Sequence, residues 1–468
     1  MNQSPLASAP VAERSIELIE NEQSAFVRGL LFSVPPLLLL LGALLFGGAS
    51  RLNPIGLMVA EGLGVLALVP AVLRFRDLVF SRLAISAIVV LALATALVLL
   101  QLVPLPPELW KGLPARQALA TAVGLIGLPN HWRPVTLAPD ETQGSVLFLL
   151  APAGMFLGCL QCHARERQWL VLAAICVALL SLVVGAVQMA GGAGGHAQFY
   201  SNATSGVPNG FFANRNHQAA FMIAAVGLSA ALVGRYELPL SLERRPYVTV
   251  ALMLVFAVSA AATLSLAGLL LLGPVLVVAT VILQGRLSSL NPRVRLAIPV
   301  VTAIGVAAVF IVLQFGAHID RFVDNGMGAL GRAQVMTNVV AAGRTFQPVG
   351  SGLGTFDMVY RSVEPLDQIG PEYLNHVHND YVELWLEGGW PAVTLIAAAL
   401  LWWGFGAYAA WFGPSRADAA MARSGSLITA ALLIQSAFDY PLRTPALAVV
   451  FAFACALMLP SPLIRAPD

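Results

Sequence analysis

Apolar runs of about 20 residues, separated by short polar or Pro/Gly-rich segments, recur along most of the chain. A helix of that length crosses the hydrocarbon core of a bilayer, which is about 30 Å thick. The pattern therefore predicts an all-α polytopic integral membrane protein with about 12 transmembrane helices. The predicted spans are residues 28–47, 55–73, 83–104, 144–161, 169–190, 217–234, 247–263, 265–284, 297–316, 390–411, 422–438 and 444–460. The boundaries within 247–284 stay open, because two runs nearly touch there.

Composition and charge agree with this architecture and orient it. Apolar residues make up 58% of the 468 residues and charged residues only 11%, against about 25% charged in a soluble domain. The short segments on one side hold most of the 26 lysines and arginines, and basic residues favour the cytoplasmic side. The N-terminus is therefore predicted to lie inside, and residues 105–143, 191–216 and 317–389 outside.

The predicted spans divide the chain into four regions. Residues 1–27 have acidic side chains and no apolar core, so they are predicted to form a cytoplasmic tail and not a signal peptide. Residues 28–316 hold helices 1–9, 317–389 form a long periplasmic loop between helices 9 and 10, and 390–468 hold helices 10–12 and a short inner tail. Loops longer than about 15 residues are usually either functional or disordered. The glycines, aromatics and ionisable groups of 317–389 indicate function.

The densest polar stretch of the long loop is residues 375–383, Asn-His-Val-His-Asn-Asp-Tyr-Val-Glu. Asp380 and Glu383 have the spacing of a capping box with an acidic cap, which predicts that a helix begins near Asp380. His378 then lies just ahead of a helix N-terminus, where backbone donors attract anions. A neutral imidazole beside an anion site suits a general base. A capped interfacial helix with ordinary polar residues is the alternative interpretation.

Several arginines lie on the predicted outer side, against the overall charge trend. A guanidinium binds two phosphate oxygens at once, so such residues are candidates for anion binding. A solvated or snorkelling side chain is the alternative for each of them. Arg215 stands out, because it lies in the polar cluster 211–217 at the mouth of a predicted span, where polar groups are costly. These arginines are Arg215, Arg332, Arg344, Arg361 and Arg443.

Other motifs predict no cofactor. Cys159, Cys162 and His163 have the spacing of a haem attachment motif, but they fall at the inner end of a predicted span. His376 and His378 could begin a metal site, yet no fixed ligand spacing supports one, so no metal is predicted. The chain has no phosphate-binding P-loop or dinucleotide fingerprint, which disfavours a nucleotide-driven pump.

Four motifs resemble those of the bacterial O-antigen ligase and polymerase family. Residues 376–389 resemble its histidine-asparagine signature, and 348–356 resemble its glycine-rich turn. Residues 212–217 are similar to its other outer-loop motif, and 439–441 to the polar pair between its last two spans. One departure concerns the run Ser-Leu-Ala-Gly at 265–268: many members carry an arginine where this chain has Leu266.

The resemblance implies a glycosyltransferase of the bacterial inner membrane that faces the periplasm and needs no metal or cofactor. Its donor would be a glycan on undecaprenyl diphosphate, and its acceptor either another lipid-linked repeat (polymerase) or lipid A–core (ligase). A flippase and a chain-length regulator would be partners, whereas nucleic acid would not. Polymerisation of O-antigen or exopolysaccharide repeats is favoured, because Trp110, Trp132 and Asp140 in 105–143 suggest a surface for a sugar acceptor.

The resemblance also assigns roles. His378 would deprotonate the hydroxyl group of the acceptor. Asn379 or Tyr381 would orient either the histidine or the sugar. The diphosphate would be held by one or more of Arg215, Arg332 and Arg361. Further site candidates are His376, Tyr381, Glu383, Asn216, His217 and Asp439.

Two other classes of protein remain: a membrane transporter, which should show charged residues deep in its spans and two related halves, and a non-catalytic scaffold. Only Glu61 is clearly mid-span, and no internal repeat is visible.

Overall fold

A computed structural model describes residues 32–50, 53–191, 197–200, 203, 206–234, 241–287, 329–366, 369, 374–414 and 418–464. This part of the chain is mostly helical. Its helices are α1 (Phe32–Phe46), α2 (Pro54–Leu73), α3 (Arg82–Gln101), α4 (Pro107–Trp110), α5 (Gln117–Leu125), α6 (Pro139–Phe148), α7 (Leu150–Gln161), α8 (Ala164–Ala190), α9 (Arg215–Ala231), α10 (Arg245–Ala262), α11 (Leu266–Leu287), α12 (Ala329–Thr345), α13 (Phe356–Val363), α14 (Asp380–Phe412), α15 (Ala419–Gln435) and α16 (Pro445–Met458). Two-residue strands at Leu78–Val79 and Leu463–Ile464 pair antiparallel, Leu78 opposite Ile464.

The helical class is confirmed, and several helices are long and apolar enough to cross a membrane. Seven reach that length in the described part: α2, α3, α6 with α7, α8, α10, α11 and α14. α1, α15 and α16 are shorter apolar helices. The total of about 12 spans and the side on which each loop lies stay predictions. The tail 1–27, the predicted span 297–316 and the start of the long loop, 317–328, lie outside the described residues.

α9 is the central helix of the bundle. Every residue in it except Asn216 is buried, and eight of the 17 are Gly, Ala or Ser, so neighbouring backbones can approach closely. α9 packs against α8, α10, α11, α15 and α16. Its first turn brings Arg215 and His217 to one end of the bundle, which we name the site end.

Arg167 ties helices together at the opposite end. Its buried guanidinium donates hydrogen bonds to carbonyls at the ends of α7 and α16. The last carbonyls of a helix have no partner within it, and a cation there also complements the helix dipole. One side chain thereby closes two helix ends. The accepting carbonyls belong to Cys159, Leu160, Cys162, Ala456 and Leu459, at 2.6–3.2 Å.

A second, smaller hydrophobic cluster lies at the site end. α12, α13 and the start of α14 bury Val339, Phe356 and Leu386 against one another. The segment 105–143 is bonded to the same region, because the guanidinium of Arg116 donates to the carbonyls of Val135 (2.6 Å) and Gly350 (3.3 Å). Burial lowers the pKa of Arg116 to about 10, so it remains a cation at neutral pH.

The sugar-acceptor surface predicted on 105–143 is wrong for Trp110. Its ring is fully buried and its indole nitrogen donates to the carbonyl of His131 at 3.0 Å. A buried indole needs such a partner, so Trp110 is a core residue of this segment. Trp132 and Asp140 are exposed, as the prediction requires.

α14 bends at Gly389, where φ is 60° and ψ is −155°. The glycine-rich turn docks into this kink: the amide of Trp390 donates to the carbonyl of Pro348 at 3.0 Å. A Cβ on Gly389 would lie 2.1 Å from that carbonyl oxygen, and a Cβ on Gly350 would lie 2.4 Å from the carbonyl oxygen of Glu387. Only glycine allows both the positive φ and this close approach.

Gly389→Ala is therefore expected to destabilise the protein by more than about 2 kcal/mol, because alanine meets both a left-handed backbone and a clash. Gly404→Ala is the matched control in the same helix, since a Cβ there would meet nothing within 4 Å. The control should be neutral or stabilising by up to about 1 kcal/mol. Unfolding of both variants in detergent provides the measurement. Equal melting temperatures would contradict the role assigned to the kink.

Candidate active site

His378 lies in the turn before α14 and is paired with a carboxylate from the loop between α15 and α16. Its Nδ1 is 3.0 Å from Oδ1 of Asp439. The His378 side chain is 22% exposed, whereas that of Asp439 is fully buried. A carboxylate at Nδ1 selects the tautomer in which Nδ1 carries the proton and Nε2 accepts one. His378 is therefore arranged as a general base that is supported by the carboxylate of Asp439.

Asp439 is held in its charged form. Burial alone would raise its pKa, but the hydrogen bond and charge of His378, the charge of His217 and the Tyr440 amide outweigh burial and hold the pKa well below its usual range. An ionised Asp439 can stabilise the imidazolium that forms when His378 takes a proton. The linked stability is fully present above about pH 3.9, the ordinary aspartate pKa, and is lost as pH falls through the lower folded value.

The helix start predicted near Asp380 is confirmed, but the predicted capping box is wrong. Asn379 is the cap: its side-chain oxygen accepts from the amides of Tyr381 (3.1 Å) and Val382 (3.0 Å). Its side-chain nitrogen donates to the carbonyl of Ala437 at 2.9 Å. Asn379 thus joins α14 to the loop that carries the partner of His378. The carboxylate of Asp380 instead accepts from the Ser436 hydroxyl at 2.8 Å.

The backbone of His378 lies in the left-handed region, with φ at 56°. Few residues other than glycine adopt this conformation, and it costs about 1–3 kcal/mol where it occurs. This conformation is held by the hydrogen bonds of the next residue, Asn379, and by the contact of Asp439 with the His378 side chain. The conformation directs the chain into α14.

A second histidine–carboxylate pair lies deeper. His376 Nδ1 is 2.8 Å from Oε1 of Glu383, and both side chains are buried. Oε2 of Glu383 accepts from the amide of Val377 at 3.1 Å. This pair fixes the segment ahead of His378 to the first turn of α14. Among the residues that the structure describes, no three or more His, Cys, Asp or Glu are grouped as metal ligands would be.

Tyr440 is the centre of the site. Its ring lies 4.9 Å from His217, 4.5 Å from His376 and 4.9 Å from His378, between ring centroids. The side chains of Asn214 and Asn375 interact with its hydroxyl and act to lower its pKa, but they do not outweigh burial. Burial, with the charge of Asp439, raises the pKa of Tyr440 above its usual range, so the hydroxyl keeps its proton.

Arg443 is fully engaged by one face of α14. Its guanidinium contacts carboxylate oxygens of Glu387 (3.1 Å), Glu383 (3.3 Å) and Asp380 (3.6 Å). These residues are spaced three and four apart and therefore share a helix face. Burial lowers the pKa of Arg443, but the three carboxylates outweigh it and the pKa is raised. Arg443 is an internal counter-ion, which is a different role from that of the anion-binding candidates.

Part of the candidate site lies in a segment that matches a known protein family. Residues 248–397 match the family model described as O-antigen ligase. The chain carries an O-antigen ligase family domain. This match implies a glycosyl-transferring enzyme of the O-antigen ligase and polymerase kind, and the resemblance found in the sequence is confirmed. A search of the curated proteins found no match.

The O-antigen ligase family domain includes the glycine-rich turn, His378 and the first part of α14, whereas Arg215 and Asp439 lie outside the matched range. Arg215 is buried, and its guanidinium donates to the carbonyl of Leu264 at 3.1 Å. Leu264 directly precedes the run at 265–268 in which relatives carry an arginine. Arg215 therefore lies beside the position of the missing cation.

The other predicted site residues are more dispersed. Arg361 lies on α13, 59% exposed, and its Nε donates to Asp357 at 2.7 Å. The side chain of Arg332 lies outside the described residues. The carbonyl of Asn216 accepts from Gln435 at 2.9 Å, and the Tyr381 hydroxyl donates to the carbonyl of Leu433 at 2.7 Å.

Four of the predicted site residues lie around Tyr440, within the O-antigen ligase family domain and the segments that flank it. They are His217, His376, His378 and Asp439. Tyr440 itself, Asn214 and Asn375 were not predicted. Each stands next to a predicted residue in the sequence, which is the signal that could have found them.

Asp439→Asn is expected to lower glycan transfer by about 10²–10⁴-fold, because an amide can neither select the tautomer of His378 nor stabilise its cation. The shape of the side chain is retained. Asp77→Asn, at an exposed aspartate in the turn after α2, is the control and should keep transfer within about twofold. Transfer assays on both variants, with melting temperatures alongside, provide the test. A comparable loss in both would argue against the His378–Asp439 pair.

Proposed function

We propose that the protein transfers a glycan from undecaprenyl diphosphate to a hydroxyl group, with its site end facing the periplasm across the bacterial inner membrane. The observation that carries this proposal is the His378–Asp439 pair: a partly exposed imidazole held by a fully buried carboxylate. The family match supports the same reaction class.

The reaction needs one base and a place for the leaving diphosphate. Nε2 of His378 takes the proton of the acceptor hydroxyl as its oxygen bonds to the anomeric carbon of the donor glycan. The bond between that carbon and the diphosphate oxygen breaks, and the diphosphate leaves with the electron pair. Asp439 stabilises the resulting imidazolium. Asn379, through its bonds to α14 and Ala437, positions the histidine.

Arg215 is the proposed principal contact of the diphosphate. Its place beside Leu264 allows it to take over from the arginine that Leu266 replaces. A guanidinium suits this role because it binds phosphate oxygens in pairs. Arg332 and Arg361 remain proposed further contacts from the long loop.

The proposed acceptor is a second lipid-linked repeat, which makes the enzyme a polymerase of O-antigen or exopolysaccharide repeats. The exposed Trp132 and Asp140 support an acceptor surface on 105–143, since aromatic faces suit sugar rings. A ligase that transfers the glycan to lipid A–core is the second candidate, and the description of the matched family favours it. A flippase that supplies the donor and a chain-length regulator are the proposed protein partners.

Reconstitution of the purified protein in liposomes separates the two candidates. With undecaprenyl-diphosphate-linked repeats alone, a polymerase forms a ladder of longer lipid-linked glycans. A ligase forms product only after lipid A–core is added. No product under either condition would contradict glycosyl transfer altogether.

A further inference from the structure

The segment 117–128, which consists of α5 and the turn after it, is apolar and largely exposed. No Asp, Glu, Lys or Arg occurs from Gln117 to Trp132. Of the nine residues of α5, Val123 alone is buried. Large apolar side chains at its end are exposed, with Leu125 at 83% and Ile126 at 67%. The segment therefore presents an apolar surface that the described part of the chain does not cover.

A helix of this kind is not stable in water by itself. Helices shorter than about 12–15 residues are marginal in water, and their stability comes mostly from packing. A helix that is apolar on all sides belongs in a protein core or in a membrane. α5 is close to this case, because its polar side chains are Gln117 and Thr121, and the Thr121 hydroxyl donates to the Gln117 carbonyl at 3.0 Å. Its exposed surface therefore requires an apolar environment.

The loop that carries the segment is held between two candidate membrane helices. It leaves α3 after Gln101 and enters α6 at Pro139, and both α3 and α6 with α7 are long and apolar enough to cross a membrane. The two ends are joined, because the amide of Thr136 donates to the carbonyl of Gln101 at 3.1 Å. Leu105 and Arg133 are also paired across the loop. The loop therefore leaves and re-enters the bundle at one place.

The exposed apolar surface of α3 leads to this loop. Leu100, in the last turn of α3, is exposed, and so is Val103 just beyond it. Val103 lies two residues before Leu105, whose partner Arg133 directly follows the exposed Trp132. Tryptophan and basic side chains are typical of the level at which a bilayer meets water. This continuity with a candidate membrane helix favours lipid over a protein partner as the cover of the segment.

We propose that residues 117–128 are embedded in the lipid leaflet at the site end. A helix of nine residues is about 14 Å long and cannot cross a hydrocarbon core of about 30 Å. Such a helix lies at the boundary between headgroups and acyl chains, where lipid covers its apolar side chains. Arg116, directly before α5, donates to the carbonyl of Gly350, so the embedded helix is tied to the glycine-rich turn. The lipid contact goes beyond glycosyl transfer and does not depend on it.

Spin-label accessibility in liposomes tests the proposal. Ile126→Cys carries the nitroxide in a Cys176→Ser background, because Cys176 is exposed and the other three cysteines are buried. Oxygen partitions into lipid, whereas a nickel chelate stays in water. The ratio of oxygen to nickel collisions should be at least about threefold higher than for Ser362→Cys, the control beside the exposed Arg361 on α13. Leu93→Cys, on the exposed side of α3, should match Ile126→Cys.

Two results of this experiment would overturn the proposal. A label at Ile126 that behaves like the label at Ser362 would place the segment in water. A label that neither reagent reaches would mean that protein covers the segment, such as a second copy of the chain.

Wild-type protein allows a measurement without any substitution. A phospholipid with a diazirine on its acyl chain should label the segment 117–128 together with α3. Labelling of α3 without the segment would contradict the lipid contact.

Discussion

His378→Gln is expected to abolish measurable glycan transfer, a loss of about 10²–10⁴-fold, while the protein stays folded. The glutamine amide can still donate a hydrogen bond toward Asp439, so the buried carboxylate keeps a partner. It cannot accept the proton of a hydroxyl, because an amide is not a base at neutral pH. The substitution therefore separates catalysis from the support of Asp439.

The measurement is the rate of transfer from a lipid-linked donor, with melting temperature recorded on the same preparation. His163→Gln provides the matched control, since that histidine is 59% exposed at the start of α8. It should keep the wild-type rate. If His378→Gln retained a tenth or more of the rate, another group would have to be the base.

Arg443→Leu is expected to produce the largest loss of stability, about 3–5 kcal/mol. Removing this guanidinium leaves the carboxylates of Asp380, Glu383 and Glu387 close together and nearly or fully buried without their cation. Arg443→Lys should recover only part of the loss, because an ammonium cannot reach three carboxylates in the way a planar fork can.

Arg361→Leu is the control for this prediction. It removes a single arginine–aspartate pair that is solvent-exposed, and exposed pairs contribute only about 0–1 kcal/mol. Unfolding in detergent by heat or denaturant compares the two. Glu387→Gln in the Arg443→Leu background should restore part of the stability, because it removes one of the uncompensated charges. Equal losses for the two arginine variants would contradict the counter-ion role.

The local sequence pattern was sufficient to predict the helices and to single out His378. α14 shows this: its apolar run and the polar residues ahead of it predict both the helix and the position of His378 at its start. The partner of His378 is 61 residues further along the chain, and no local pattern specifies that contact. Only the resemblance to a family motif pointed to Asp439. Tyr440 was missed because a single aromatic residue gives no sign that three rings converge on it.

The errors have the same physical origin. Asn379 and Asp380 are both good caps by chemistry, and the choice between them depends on Ser436, which takes the carboxylate of Asp380. Trp110 was predicted to lie on a sugar-acceptor surface because aromatic faces suit sugar rings, but its side chain is fully buried. Arg443 was grouped with the outer arginines, since sequence does not reveal three acidic residues of α14 turned toward it. Each case depends on tertiary contacts that outweigh local preference.

The burial of α9 has a consequence for how the protein is made. α9 belongs neither to the seven long apolar helices nor to the three shorter ones, and it begins with Arg215, Asn216, His217 and Gln218. A translocon releases segments into lipid according to their hydrophobicity, so we expect α9 to enter the membrane together with α10 and α11. Asp439 is synthesised later still. A nascent chain that ends before residue 378 therefore contains neither His378 nor its partner Asp439, so the proposed base is assembled only after α9 has been synthesised.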